Sequence, residues 1–200
     1  GTVRISASQI VATYILPTIL SEIHAQEPDI QIEVVATDET DNLLRREADI
    51  ALRMYQTTLL DVIAKKITEI ELGIYGAHSY LECINMPPAT SNRIDHDLIG
   101  CDRSELIIDG MRKMGYEITR DFFKFRSDDQ VVCWQMVLAG FGIRFNQVVI
   151  GDAGSRVQRI APAMPMGTMP IWLAAHTGLK INSRVLYVFE VLYARIHKLH

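Results

Sequence analysis

The first 54 residues constrain the fold most, because they alternate between two hydrophobic periods. Val3 to Ser6 reads as a short strand. A helical stretch starts at about Ser8, where Leu16, Ile19, Leu20 and Ile23 fall at i, i+3, i+4 and i+7 as one apolar stripe. Pro17 sits inside it, which predicts a kink, or one helix ending and a second starting. Pro28-Asp29 predicts a turn, and Ile30, Ile32 and Val34 alternate with Gln31 and Glu33 as in a strand. A short helix is expected over 40–47. A strand is expected over 49–54, with Ile50 and Leu52 on one face and Ala51 and Arg53 on the other. Strand, helix, strand, helix, strand implies a parallel sheet with helices on both sides.

The chain then becomes more extended. Strands are expected over 62–66 and through Ile70, Leu72 and Ile74, then a short helix over 79–82 and a loop carrying Pro87-Pro88. A second series begins at Leu98, with a strand over 98–101 and a helix over 105–114 ended by Gly115. A strand over 122–126 and a helix over 128–139 closed by Gly140 follow. Next come a strand over 141–145, a short helix over 146–150 and a strand over 157–160. The stretch 161–170 holds three prolines and a glycine and reads as a linker. A last strand covers 171–175, and Ser183 is expected to cap a final helix with Val185, Val188, Phe189, Leu192 and Ile196 as its stripe. Two α/β series joined by crossings predict two lobes with a cleft between them, and open α/β sheets bind ligands beyond the carboxyl ends of their strands.

Composition removes several classes of function. At 200 residues and 48% hydrophobic content the chain is globular, and folding can bury roughly 70% of the unfolded surface. A net charge of -4 without a basic stripe makes it a poor nucleic-acid binder by itself. No apolar run approaches the ~18 residues of a membrane span, and the opening GTVRIS shows no signal peptide. Cys83, Cys101 and Cys133 match neither a disulfide framework nor a zinc site, so reduced cytoplasmic thiols are expected. There is no G-x-S-x-G, Walker A, G-x-G-x-x-G or H-E-x-x-H motif. His197 and His200, at a chain end, read as solvated groups, as does Asp95-His96-Asp97 in a polar turn, although that turn could bind a metal. Neither a metal nor a cofactor is expected, nor is an enzyme.

Three strand–helix junctions stand out. Ser8 can cap the first helix while free N–H groups face a ligand carboxylate, although capping alone also selects serine. Arg53, near its strand's carboxyl end, suits a bidentate grip on a carboxylate, or an ion pair with Asp38, Glu39 or Asp41. Ser127-Asp128-Asp129 opens a helix, either as an acidic N-terminus or as a ligand contact. Nearly every residue from Val131 to Ala139 is apolar, and Ile10 to Leu20 is similarly broad. That excess points to a subunit interface unless loops cover it.

Together these residues resemble one family. VRIS-x-S-x-x-V-A-x-Y-I-L-P at the start, Pro28-Asp29-Ile30 with I-x-I-E-V, and EADIALR at 47–53 are similar to the effector-binding domain of LysR-type transcriptional regulators. IYGAHSYL at 74–81, RSDDQ-x-x-x-W-Q-M-V-x-A-G-F-G-I at 126–143 and MPIWLAAH at 169–176 match it in order and spacing. The resemblance implies an α/β fold of two Rossmann-like lobes with an interlobe cleft, like type 2 periplasmic binding proteins. Lobe I would be 1–75 with 171–200 and lobe II 76–170, with crossings near 74–78 and 164–171. An N-terminal winged helix-turn-helix domain, absent from this chain, would supply the DNA binding. It also implies a small-molecule effector at Ser8, Gln9, Ile10 and Asp128, with Arg53 and Ala77, His78 and Ser79 as lining. The family's paired helices imply a homodimer, and a tetramer in the full-length protein, through Ile10, Tyr14, Leu20, Val131, Trp134 and Leu138. Arg144 and Phe145 depart from the family's small or aliphatic residues, and the cysteine spacing does not match its peroxide sensors. The expected function is therefore effector sensing and oligomerisation in a regulator, with a carboxylate or zwitterionic metabolite as effector. A transport-associated solute-binding protein of the same fold and a small α/β enzyme are the alternatives.

Overall fold

The computed structural model describes residues 1–38, 48–56, 62–84, 96–176 and 182–199. They form two compact units, Gly1–Ile70 with Thr168–His200, and Glu71–Gly167.

In the first unit, β1 (Thr2–Ala7) runs parallel to β2 (Gln31–Ala36) on one side and to β3 (Ile50–Arg53) on the other. β9 (Thr168–His176) is antiparallel to β3, and the start of β4 (Val62–Ala77) lies beyond β9. β3 is buried at all of its positions, as a strand covered on both faces must be, whereas β2 has no buried residue and forms the edge. α1 (Gln9–Tyr14) ends and α2 (Leu16–Gln26) begins around Ile15. Pro17 falls in the first turn of α2, where its missing N–H has no partner to lose. Leu16, Ile19 and Ile23 of α2 are buried, as are Val185, Val188, Leu192 and Ile196 of α7 (Ser183–Ile196), which packs against α2. The expected cap at Ser183 is corrected to Asn182, whose side chain accepts from the N–H groups of Arg184 and Val185. The helix expected over 40–47 and the Pro87-Pro88 loop lie outside the described residues.

The two strands expected across 62–74 are one strand of 16 residues. No glycine or proline interrupts it before Gly73, and its partners change along its length. In the second unit its end pairs antiparallel with β7 (Ile143–Gln147) and β8 (Val157–Ile160). A short parallel pair, β5 (Ile99–Gly100) and β6 (Phe125–Arg126), stands beside them. The strand expected over 122–126 is shorter than read, because Arg120–Phe122 form a 3-10 turn in which Phe122 N–H bonds to Thr119 O. The helices are α3 (His78–Cys83), α4 (Leu106–Lys113), α5 (Gln130–Leu138) and α6 (Val148–Gly151). Ile74, Leu81, Leu98, Met111, Phe123 and Ile143 anchor this unit's core.

Two glycines have backbone roles here. Gly140 closes α5 at φ +82°, with Phe141 N–H returning to Met136 O at 3.0 Å. At Gly142 a Cβ would stand 1.9 Å from Asp97 O, the same carbonyl that accepts from Ile143 N–H at 2.9 Å. Backbone therefore meets backbone where β7 begins. Gly142→Ala is expected to destabilise the chain by about 1–3 kcal/mol, the usual cost of overpacking. Gly110→Ala, inside α4 with nothing within 4 Å, should be neutral or stabilising. Thermal melts of both variants test this, and equal effects would remove the argument for a close approach.

Candidate functional site

In the first unit the parallel strands β1, β2 and β3 end together, and the candidate residues follow those ends. Arg53 closes β3 and is only 4% exposed. Its Nη2 donates to Ser6 Oγ at 2.7 Å and its Nη1 to Leu52 O at 2.9 Å. Ser6 itself is fully buried. The register explains the contact. Ser6 lies opposite Ala51, and Arg53, two residues on, projects from the same face.

Ser8 has the backbone of an N-cap but makes no side-chain cap bond, which corrects the capping expectation. Its Oγ is buried without a hydrogen-bond partner among the described residues. The N–H of Gln9 is taken instead by Asp38 Oδ1 at 3.3 Å, a carboxylate from just beyond β2. Asp38 is thus placed against the helix start, while Glu39 and Asp41, named as ion-pair partners of Arg53, lie outside the described residues. Ile10 is buried and belongs to the core.

In the second unit Ala77 is buried and pairs with Val157, while His78 and Ser79 are exposed at the start of α3. His78 N–H donates to Arg156 O at 3.1 Å. Two neighbouring aspartates have different tasks. Asp129 caps α5, accepting from Val131 and Val132 N–H at 2.9 Å each. Asp128 accepts from the backbone of residues 102–104, with Asp102 N and Arg103 N at 3.0 Å, and from Arg103 Nε at 2.9 Å. The Arg103 side chain and then these amides hold its carboxyl down to about 2.

Trp134 is 3% exposed and meets the Tyr75 ring edge-on at 5.9 Å. Tyr75 OH donates to Asp152 Oδ1 at 2.6 Å, and burial first, then that carboxylate, pushes its phenol well above the usual range. This corrects the placing of Trp134 on a subunit surface, since its ring is used inside its own unit. Tyr14, Leu20, Val131 and Leu138 are half-buried, and Val132 is the exposed apolar residue of α5. Only strand register shows that the Ser6 hydroxyl meets Arg53.

His197 stacks on Tyr193 with Nδ1 3.0 Å from Ile67 O. His96 is buried, and Asp95 and His200 lie outside the described residues. Among the described residues no group of three or more His, Cys, Asp and Glu gathers as a metal site, and no helix is long and apolar enough to cross a membrane. Cys101 and Cys133 are buried free thiols, and burial pushes Cys133 up, away from reactivity.

Asp128 carries a pH prediction. Its folded pKa lies below that of an ordinary carboxyl, so its contribution to stability is complete at neutral pH. That contribution is lost as pH falls from about 4 through about 2. Asp128→Asn should flatten this part of an acid unfolding curve. A curve of unchanged shape would show that the 102–104 loop does not need the charge.

The LysR substrate binding domain model matches residues 1–195. An HTH-type transcriptional regulator of Xanthomonas campestris is 33% identical over 75 residues, which are 38% of this chain and 22% of that protein. The match spans about a fifth of that relative's length. The regulatory domain of CrgA from Neisseria meningitidis superposes with a TM-score of 0.82 at 16% identity, covering 100% of this chain and 99% of that one. The regulatory domain of AphB from Vibrio vulnificus gives 0.72 at 19%, covering 97% and 98%. The CcmR regulatory domain of Synechocystis PCC6803, in complex with 2-PG, gives 0.73 at 15%, covering 99% and 98%. CrgA is described as a LysR-type transcriptional regulator, and such proteins are not enzymes. The α/β fold is the two-lobe, periplasmic-binding-protein-like one of LysR regulatory domains, and the chain belongs to the LysR substrate-binding domain family.

Proposed function

We propose that the chain is the effector-sensing and dimerisation part of a LysR-type transcriptional regulator. The effector is a small carboxylate-bearing metabolite, and DNA is bound by another part of the protein. The observation that carries this reading is Arg53, a buried guanidinium at the end of β3, held on Ser6 and Leu52. A guanidinium fixed in a dry setting binds carboxylate more strongly than one in water. Ser8 Oγ, buried without a partner among the described residues, adds a hydroxyl just after β1. Gln9 and Ile10 complete the first unit's set. Ala77, His78 and Ser79 belong to the same proposal, and Asp128 contributes through the 102–104 loop that it holds. The CcmR structure with 2-PG supports a small-molecule ligand for this fold.

Signalling follows as a population shift, in which the effector favours one arrangement of the protein by its differential affinity. Leu20 and Val132, on the two apolar helices, supply the surface for association. The protein would act in the cytoplasm, where its DNA is.

Calorimetry with a panel of metabolite carboxylates tests the effector. Arg53→Ala and Ser8→Ala should each weaken binding by about 10- to 150-fold, the loss of one charge-assisted bond. Circular dichroism confirms that each variant is folded. Unchanged affinity in folded Arg53→Ala would overturn the carboxylate reading. Sedimentation should show a dimer that Leu20→Asp or Val132→Asp weakens, and a monomer at high micromolar concentration would end that part of the proposal. The isolated chain should show no sequence-specific DNA binding.

A further inference from the structure

Arg144 lies near the start of β7 and is 3% exposed. A guanidinium stays protonated even when buried. Its surroundings, however, are neutral. Nη1 donates to Ile99 O at 3.2 Å and to Gly100 O at 3.3 Å, while Nη2 donates to Gln130 Oε1 at 2.8 Å and meets Cys101 Sγ at 3.8 Å. No carboxylate among the described residues pairs with it. The nearest acidic side chains in sequence to Gln130 are engaged elsewhere, Asp128 on the 102–104 loop and Asp129 on the first turn of α5.

A purely structural staple between β5 and α5 needs donors and not charge. A neutral amide would serve, and a buried cation without a counter-charge only adds a desolvation cost. The cage nonetheless fixes both terminal nitrogens, using the end of β5, Cys101 just after it and the first residue of α5. Nε–H is left without a protein partner among the described residues. We propose that Arg144 is the charge-bearing contact of an anion site within the second unit, taking one small oxyanion, a carboxylate or a phosphate group. The oxyanion supplies the missing counter-charge and accepts from the one remaining N–H, that of Nε. Arg144 belongs to the second unit and Arg53 to the first, and either assignment can fail alone.

The test is an NMR titration of the intact chain, following the Arg144 Nε–H and Gln130 side-chain amide signals. Acetate, oxalate and inorganic phosphate are the probes, each against chloride at constant ionic strength. The expected result is a saturable shift of both signals. Preference for oxalate or acetate marks a carboxylate ligand, and preference for phosphate marks a phosphoryl one. Arg144→Gln should weaken the response at least about ten-fold, Arg144→Lys should weaken it less, and Lys113→Gln, at an exposed cation of α4 in the same unit, should leave it intact. Shifts that stay linear to tens of millimolar, or binding retained in folded Arg144→Gln, would overturn the proposal. If Arg144→Gln does not fold, the titration of the unsubstituted chain still decides.

Discussion

A guanidinium keeps its charge wherever the fold places it, and among the described residues each unit buries one. The requirement to surround that charge with acceptors reaches back into the strand register. In the first unit, Ser6 reaches Arg53 only because β1 and β3 pair parallel with Ser6 opposite Ala51. A slip by one residue would turn Ser6 to the other face and leave the cation without its hydroxyl. In the second unit, Leu98 bridges Ile143 in parallel, which sets the Ile99 and Gly100 carbonyls beside Arg144. Asp97 O, within reach of Gly142 alone among residue types, secures that approach.

The same economy of partners governs α5. Its nine residues are apolar almost all round, and its ends are set by side-chain and backbone chemistry. Asp129 takes the first amides, and Gly140 turns the chain out at positive φ. Cys133, Trp134 and Val137 are buried within the unit, and Trp134 is matched edge-on to Tyr75, an arrangement that rings favour. Most of the apolar excess is thereby used inside the unit. The apolar surface that α5 leaves exposed is narrower than composition implies and is centred on Val132.

Features of the fold that depend on local periodicity were legible in the sequence. The βαβ alternation of the first 54 residues, the break at Pro17, the glycine after α5 and the strand Val157–Ile160 all follow from period, proline or glycine. Tertiary choices were not legible. The 16 residues of β4 lose their alternation midway because their pairing partners change, so one strand looks like two. Asp128 and Asp129 are indistinguishable as neighbours in a string, yet one caps a helix and the other grips a loop 24–26 residues away. Ser8 and Ser183 carry the preferred capping side chain, but Asp38 and Asn182 meet the amides, because reach depends on where a loop brings an acceptor.

At 15–19% identity, TM-scores of 0.72–0.82 mean that this fold is specified by pattern more than by particular side chains. Apolar residues at the right period can be exchanged while the packed layers persist. Family membership therefore says little about which molecule is sensed. Buried charge is different, because an arginine in a dry site is costly unless something completes its environment. Arg53 and Arg144 are groups of that kind, one in each unit, Arg53 donating to Ser6 Oγ and Leu52 O and Arg144 to Gln130 Oε1 and the Ile99 and Gly100 carbonyls. Among the described residues these are the two positions at which a substitution would alter buried charge, while the surrounding apolar residues maintain the frame.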